Sequence, residues 1–196
     1  MKKVLVIGAG LAGSEASFYL ARNNVKVVLV ENKRLKKNPA QKIETFAELV
    51  CTNSLKSMNP ASGHGLLKTE MKALGSLVLE AGYATQVPAG DALAVDRDKF
   101  SKYITDKLSS HENIEIVHEE ALNPIQLQEK YECDAIIVAT GPLTTDALSQ
   151  WITENIANDD FYFYDAIAPV VDADSLDLSK MYFKDRHKEI DNSASI

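Results

Sequence analysis

The sequence predicts an α/β fold on a parallel sheet, and three observations carry that prediction. Val4-Leu5-Val6-Ile7 is a short β-branched run that ends on a glycine cluster, Gly8-Ala9-Gly10-Leu11-Ala12-Gly13. A helical stretch and a second apolar run, Val25 to Val30, complete strand, turn, helix and strand, the order of a βαβ unit. Farther on, Ala135-Ile136-Ile137-Val138-Ala139 is apolar at every position and reads as a further strand.

The elements follow in order. Val4–Ile7 reads as a buried strand because both of its faces are apolar. Leu11 to Asn23 reads as a helix, with Leu11, Ala12, Ala16, Tyr19 and Leu20 as its apolar stripe and Asn23-Asn24 as its stop. Val25–Val30 is the second strand and ends at Glu31. Asn32 to Lys42 is polar and basic, with Pro39, and reads as loop. Thr45 to Val50 looks helical and runs into Cys51. Ser57 to Gly65, rich in Ser, Asn, Pro and Gly, reads as turns. Leu66 to Gly82 has helical spacing, with Leu67, Met71, Leu74, Leu77 and Val78 on one side. Val87-Pro88-Ala89-Gly90 is a turn, Asp98–Ser109 a helix and Ile114–Val117 a short strand. Asp134 to Thr140 is the very apolar strand, closed by Gly141-Pro142. Thr144 to Ile156 reads as a helix capped by Thr144 or Thr145. Phe161 to Val171 is aromatic and extended, and after Asp172 the apolar signal fades.

Composition narrows the function classes. The 196 residues are 45% apolar and 25% charged, which excludes a disordered tail, a collagen-like rod and a disulfide scaffold. The net charge of −7 excludes a uniformly basic nucleic-acid binder. It also hides an asymmetry: residues 1–118 carry 16 basic and 12 acidic side chains, residues 119–196 carry 5 and 16. The basic excess concentrates at Lys33, Arg34, Lys36, Lys37 and Lys42, a stretch that reads equally as a solvated loop or as a contact for RNA. Two cysteines, Cys51 and Cys133, are too few for a disulfide framework, and a reducing cytoplasm is the expected compartment. Met1-Lys2-Lys3 and the apolar run Val4 to Leu11 mimic a signal peptide, but Gly8, Gly10 and Glu15 argue against one. No run approaches the ~20 residues that span a bilayer. His64, His111, His118 and His187 show no ligand spacing, so no metal is expected.

Gly8 to Gly13 fits G-x-G-x-x-G in the context that gives the pattern meaning, after a strand and at the start of a helix. Each glycine has its own reason. Gly8 permits the tight turn, Gly10 lets a pyrophosphate approach the backbone, and Gly13 lets the helix pack against the strand. The free N–H groups and dipole at the helix start then face the anion. Glu31 ends the second strand, where a carboxylate accepts hydrogen bonds from the two ribose hydroxyls of an adenosine and repels a 2′-phosphate. These features make the fold Rossmann-like. Ala139-Thr140-Gly141, after its apolar run, resembles the motif of the two-dinucleotide-binding flavoproteins. It puts Thr140 and Gly141 beside the dinucleotide and favours FAD over NAD.

Phe46-Ala47-Glu48-Leu49-Val50-Cys51-Thr52-Asn53-Ser54-Leu55-Lys56 sets a cysteine between apolar and polar residues. Lys56 or a nearby helix start would make such a thiol reactive. The residues alone favour the commoner fate of a free cysteine, buried and inert.

Taken together, the chain resembles the folate- and FAD-dependent tRNA (uracil-5-)-methyltransferase family. The resemblance rests on GAGLAGSEAS at Gly8–Ser17, FAELVCTNSLKS at Phe46–Ser57 and GLLKTEMKALGSLVLEA at Gly65–Ala81. It continues through VPAGDALAVDRDKFS at Val87–Ser101, IIVATGPLTTDAL at Ile136–Leu148 and FYDAIAPVVDADSLD at Phe163–Asp177. A related flavoprotein family that adds a carboxymethylaminomethyl group shares the glycine turn but not the blocks around Cys51 and Tyr164-Asp165.

The resemblance implies an α/β, Rossmann-like FAD-binding domain of the two-dinucleotide-binding type. It implies methylenetetrahydrofolate as one-carbon donor, reduced FAD as reductant and NADH or NADPH to recharge it. The product is 5-methyluridine in the T-loop of tRNA, with ribosomal RNA the substrate of some relatives. Cysteine addition to carbon-6 of uracil would activate carbon-5. Cys51 matches one of the two family cysteines; Cys133 matches neither and reads as structural. The family is more than twice this length and its flavin domain is discontinuous. Residues 1–186 are therefore expected to form the N-terminal part of an incomplete FAD-binding domain, and 187–196 an unmatched tail, as in a truncated or frameshifted gene. The rival expectations are an FAD-binding module that works, if at all, with a separately encoded C-terminal half, and a plain flavin or nicotinamide oxidoreductase.

Overall fold

The computed structural model describes residues 1–156 and 176–180. The extended stretch expected at Phe161–Val171 and the tail at 187–196 lie outside the described residues. The chain divides into two units, Met1–Tyr162 and Phe163–Ile196. The described part of the second is a single 3-10 turn at Leu178–Lys180, whose start is capped by Asp177 through the Ser179 N–H at 3.1 Å.

The first unit is built on a four-stranded parallel sheet. Its strands are β1 (Lys3–Ile7), β2 (Lys26–Val30), β6 (Ile114–Val117) and β7 (Ala135–Val138), in the order β6-β2-β1-β7. Leu5 pairs with Val28 on one side and Ile136 on the other, and Val28 pairs with Glu115. Because side chains alternate along a strand, each run of β-branched residues feeds two cores. Val4, Val6, Val27 and Leu29 face one, with Leu77, Ala81, Phe100, Ile104 and Leu108. Leu5, Ile7, Val28 and Val30 face the other, with Leu127, Cys133 and Leu148. Helices α1 (Leu11–Arg22), α3 (Leu77–Ala84) and α4 (Arg97–Ser109) supply the first face; α5 (Pro124–Lys130) and α6 (Asp146–Asn155) supply the second. Helices on both faces of a parallel sheet make this the doubly wound arrangement the sequence predicts.

A second sheet, antiparallel and in the order β3-β5-β4, joins β3 (Ser54–Ser57), β4 (Gln86–Val87) and β5 (Ala92–Val95). Its strands have two to four residues and no clear alternation, so nothing in the sequence announces them.

Three expectations change. Thr45–Val50 is not helical. Ala47 has φ 50°, the Ala47 N–H bonds the Ala9 carbonyl at 2.8 Å, and the Phe46 N–H bonds Thr105 Oγ1 at 2.8 Å. Tertiary partners take the donors that a helix would use internally. The apolar stripe of α1 is also different: Leu11, Ala12 and Tyr19 are exposed, and Gly13, Ser14, Ser17 and Ala21 face the sheet. Small residues win that face because the helix packs close. Leu66–Gly82 is two helices, α2 (Gly63–Ala73) and α3, broken at Gly75 with φ +69°. Arg22 bonds the Leu74 and Gly75 carbonyls that end α2. Glu15 caps α3 by accepting from Ser76 Oγ and the Leu77 and Val78 N–H groups, at 2.8, 3.1 and 2.9 Å. Leu67 and Leu74 are exposed in consequence. The apolar strand β7 is half-buried, because among the described residues it is an edge strand. Thr145 does cap α6, though without a side-chain hydrogen bond; Thr144 Oγ1 bonds the Gly141 carbonyl instead.

Candidate dinucleotide site

The glycine turn lies at the carboxyl ends of β1, β2 and β7, where ligands of open α/β sheets bind. Gly8 has φ +97°, and a Cβ there would sit 2.7 Å from the Ala139 carbonyl oxygen. The end of β7 thus passes directly over the turn, and no side chain fits between them. A Cβ on Gly13 would sit 1.8 Å from the Gly8 carbonyl oxygen, so α1 touches the turn backbone to backbone. Gly10 differs: a Cβ there would meet nothing within 4 Å. Gly10 is the N-cap of α1 and brings no side-chain acceptor to the first-turn N–H groups. Those donors and the helix dipole face open space, which suits an anion.

Glu31 is buried. Its Oε2 accepts from the Ala9 N–H at 2.7 Å and its Oε1 from the Lys33 N–H at 2.8 Å. Two backbone donors fix the carboxylate at the end of β2 and leave further lone pairs for hydroxyl donors. A cavity of about 420 Å³ opens in front of it, lined by Gly8, Gly10, Glu31, Asn32 and Thr140 and walled by parts of the 36–41 loop and the 143–148 segment. That volume is near the lower end of ligand pockets, roughly 300–1,000 Å³.

Of the predicted site residues, Gly8, Gly10, Glu31 and Thr140 share this cavity. Ala9 and Gly13 are buried supports beneath it, Leu11 and Ala12 open the helix and are exposed, and Gly141, at φ +70°, stands in open space after Thr140. Thr140 Oγ1 is 2.6 Å from Thr144 Oγ1. Cys51 is not among the cavity residues. It is exposed, not buried, and the expectation of an inert core thiol from composition fails because Phe46, Ala47 and Leu49 turn inward while Val50 and Cys51 turn outward. Cys133 is the buried one, and burial pushes its thiol up. Asn53, Asp96 and Arg97 meet in a shallow depression, but their polar groups also hold the fold: Asp96 caps α4 and Asn53 Nδ2 donates to the Val95 carbonyl at 3.2 Å. No helix among the described residues is long and apolar enough to cross a membrane.

The basic loop contains a residue whose role the sequence does not reveal. Lys33 is buried, not solvated. Its ammonium lies 3.0 Å from Glu48 Oε2 and donates to the Thr45 carbonyl at 2.8 Å. Glu48 also accepts from the Lys42 and Ile43 N–H groups. Burial pushes the Glu48 carboxyl up, but these N–H groups and the Lys33 ammonium outweigh it and hold it below the usual glutamate value. A carboxyl lowered on folding stabilises the fold above its unfolded pKa, and that contribution disappears as pH falls through the folded value. Acid below the ordinary glutamate range is therefore expected to loosen this junction between the Glu31 loop and the Cys51 segment. Lys33→Met, which leaves Glu48 buried without its cation, is expected to cost about 3–5 kcal/mol in denaturant unfolding at neutral pH. Without the Lys33 ammonium the Glu48 carboxyl loses part of what holds it down, and the acid dependence shifts upward in pH.

A parallel sheet, a glycine turn that admits an anion and a buried carboxylate at the end of β2 define a Rossmann-like α/β protein. The sequence model of the family described as "Glucose inhibited division protein A" matches residues 3–196, and this chain belongs to that family. Its curated relatives include three proteins named methylenetetrahydrofolate--tRNA-(uracil-5-)-methyltransferase TrmFO. Those from Aquifex aeolicus and Persephonella marina are 50% and 51% identical over 95% of this chain, covering 40% and 42% of their own lengths. The one from Staphylococcus aureus strain JH9 is 49% identical over 94% of this chain and 41% of its own. The chain thus spans about 40% of the length of the curated relatives it matches. The solved GidA-related protein from Thermus thermophilus overlaps 59% of this chain and 37% of its own at 20% identity, with a TM-score of 0.33, a distant likeness.

Proposed function

We propose that this chain carries the FAD cradle of a folate-dependent tRNA (uracil-5-)-methyltransferase. The observation that carries the reading is the open approach at Gly10 in front of a buried, backbone-fixed Glu31. The Gly8–Gly13 turn and the start of α1 would hold the pyrophosphate, Glu31 the ribose hydroxyls, and Thr140-Gly141 would border the bound dinucleotide. FAD, when bound, supplies reducing equivalents for converting a transferred methylene into a methyl group. Identity of 49–51% with proteins named for methyl transfer from methylenetetrahydrofolate to tRNA uracil supports the substrate class. NADH or NADPH is the proposed source of electrons and the cytoplasm the proposed site of action.

In this reading Cys51 is a nucleophile of the reaction. Its exposure leaves the thiol accessible to a macromolecular substrate. Uracil carbon-5 is a weak nucleophile, and thiolate addition at carbon-6 places electron density on it. The test is methyl transfer from labelled methylenetetrahydrofolate to T-loop RNA with FAD and NADPH. Activity that falls to background in Cys51→Ala supports the assignment. Undiminished activity in that variant removes Cys51 from the mechanism. FAD binding with no methyl transfer by the unaltered chain would reduce the proposal to a binding role.

A further inference from the structure

Part of the cavity wall beyond Glu31 is the loop that follows β2, and two of its side-chain amides have orientations fixed by hydrogen bonds. Asn38 and Gln41 both line the cavity and both are partly buried. Asn38 Oδ1 accepts from the Ala40 and Gln41 N–H groups at 3.0 and 3.1 Å. Gln41 Oε1 accepts from the Asn38 N–H at 3.1 Å. These bonds assign the amide orientations, because an amide nitrogen cannot accept them. Asn38 Oδ1 therefore spends both lone pairs on the loop and Gln41 Oε1 spends one. Among the described residues neither amide NH2 group has a hydrogen-bond partner, so the two residues bring two unused NH2 donors to the cavity wall.

We propose that Asn38 and Gln41 recognise the adenine ring of the bound dinucleotide by donating to its ring-nitrogen acceptors. The inference rests on the FAD reading above and deepens it. With the ribose hydroxyls on Glu31 and the pyrophosphate at Gly10, the base attached to that ribose extends toward the loop that leaves β2. Adenine carries three ring-nitrogen acceptors besides the nitrogen bonded to the sugar, N1, N3 and N7, and the two unused amide NH2 groups are donors that match them. The neighbouring lysines are less suited to the role. Lys36 and Lys37 are exposed, and their ammonium groups already lie 3.6 Å from Glu120 and 4.0 Å from Glu44. Glu31 distinguishes a ribose from a phosphorylated one, and the two amides add recognition of the base.

The test uses the full chain, ADP, and ADP analogues in which N1, N3 or N7 is replaced by C–H. Affinities are measured by equilibrium dialysis. Asn38→Asp and Gln41→Glu keep the oxygen that closes the loop but replace the donor with a second acceptor. Their melting temperatures report that the loop is intact. In the unaltered chain at least one analogue is expected to bind about tenfold more weakly than ADP, the size of one hydrogen bond lost inside a site. That penalty should vanish in Asn38→Asp or Gln41→Glu, whose added charge affects ADP and its analogues alike. Equal binding of ADP and all three analogues overturns the inference, as does a penalty that survives in both variants. If the unaltered chain binds none of these nucleotides, the dinucleotide reading itself fails, an outcome distinct from ADP binding that ignores the ring nitrogens.

Discussion

Gly13→Ala is expected to remove much of this chain's stability while adding a single methyl group. The new Cβ would fall 1.8 Å from the Gly8 carbonyl oxygen, which is backbone and cannot swing aside. Relief requires α1 to move off β1. That movement would pull the Ser14, Ser17 and Ala21 face out of its close packing and strain the Glu15 cap on α3. Overpacking in a well-filled interior costs about 1–3 kcal/mol, and a backbone clash of this depth belongs at or above the top of that range. For a domain of this size each kcal/mol lowers the melting temperature by about 2–4 °C. A fall of about 6–12 °C or more in a thermal melt is the expected result, and an unchanged melt would show that α1 does not pack on the turn as described. Gly10→Ala is the matched control. Its Cβ meets nothing within 4 Å, so only the poorer N-cap preference of Ala acts and the loss should stay below about 1 kcal/mol.

The second large effect is expected at Glu31. Its two oxygens accept from the buried N–H groups of Ala9 and Lys33, one on the glycine turn and one on the loop beyond β2. Glu31→Leu leaves both donors without partners. Each orphaned buried donor costs about 1–3 kcal/mol, so about 2–6 kcal/mol in total is expected in denaturant unfolding. Glu31→Gln keeps one acceptor oxygen and turns an NH2 toward the other backbone donor, so it should lose roughly half as much. If Glu31 served only a bound ribose, both variants would unfold like the unaltered chain. A stability loss together with lost nucleotide affinity is the signature of a residue that builds the turn it also serves.

The parts of the fold and site legible in the sequence are those where local pattern and tertiary role coincide. The strands β1, β2 and β7, the turn at Gly8–Gly13 and the position of Glu31 could be read because apolar runs and glycine spacing directly encode a buried parallel sheet and a close backbone turn. The helix wrongly expected at Thr45–Val50 shows the limit. Its residues have helical spacing, but Ala9 and Thr105, distant in sequence, capture its N–H groups. The stripe on α1 misleads because close packing selects small residues, which carry almost no hydrophobic signal. Lys33 lies in a run that looks solvated, since nothing local shows that Glu48 stands ready to bury it. Asn38 and Gln41 look like ordinary loop residues, and only the hydrogen bonds that lock their carbonyls give them a direction.

A dinucleotide cradle opened by Gly10 underlies everything proposed for this chain. Titrating the full chain with FAD while following flavin fluorescence, beside Gly10→Val, is its sharpest test. Saturable binding by the unaltered chain is expected, with at least tenfold weaker binding by Gly10→Val, because the added side chain occupies the space in front of α1. Both proteins should melt within a few degrees of each other. No saturable binding by the unaltered chain, or equal binding by the two, would refute the cradle.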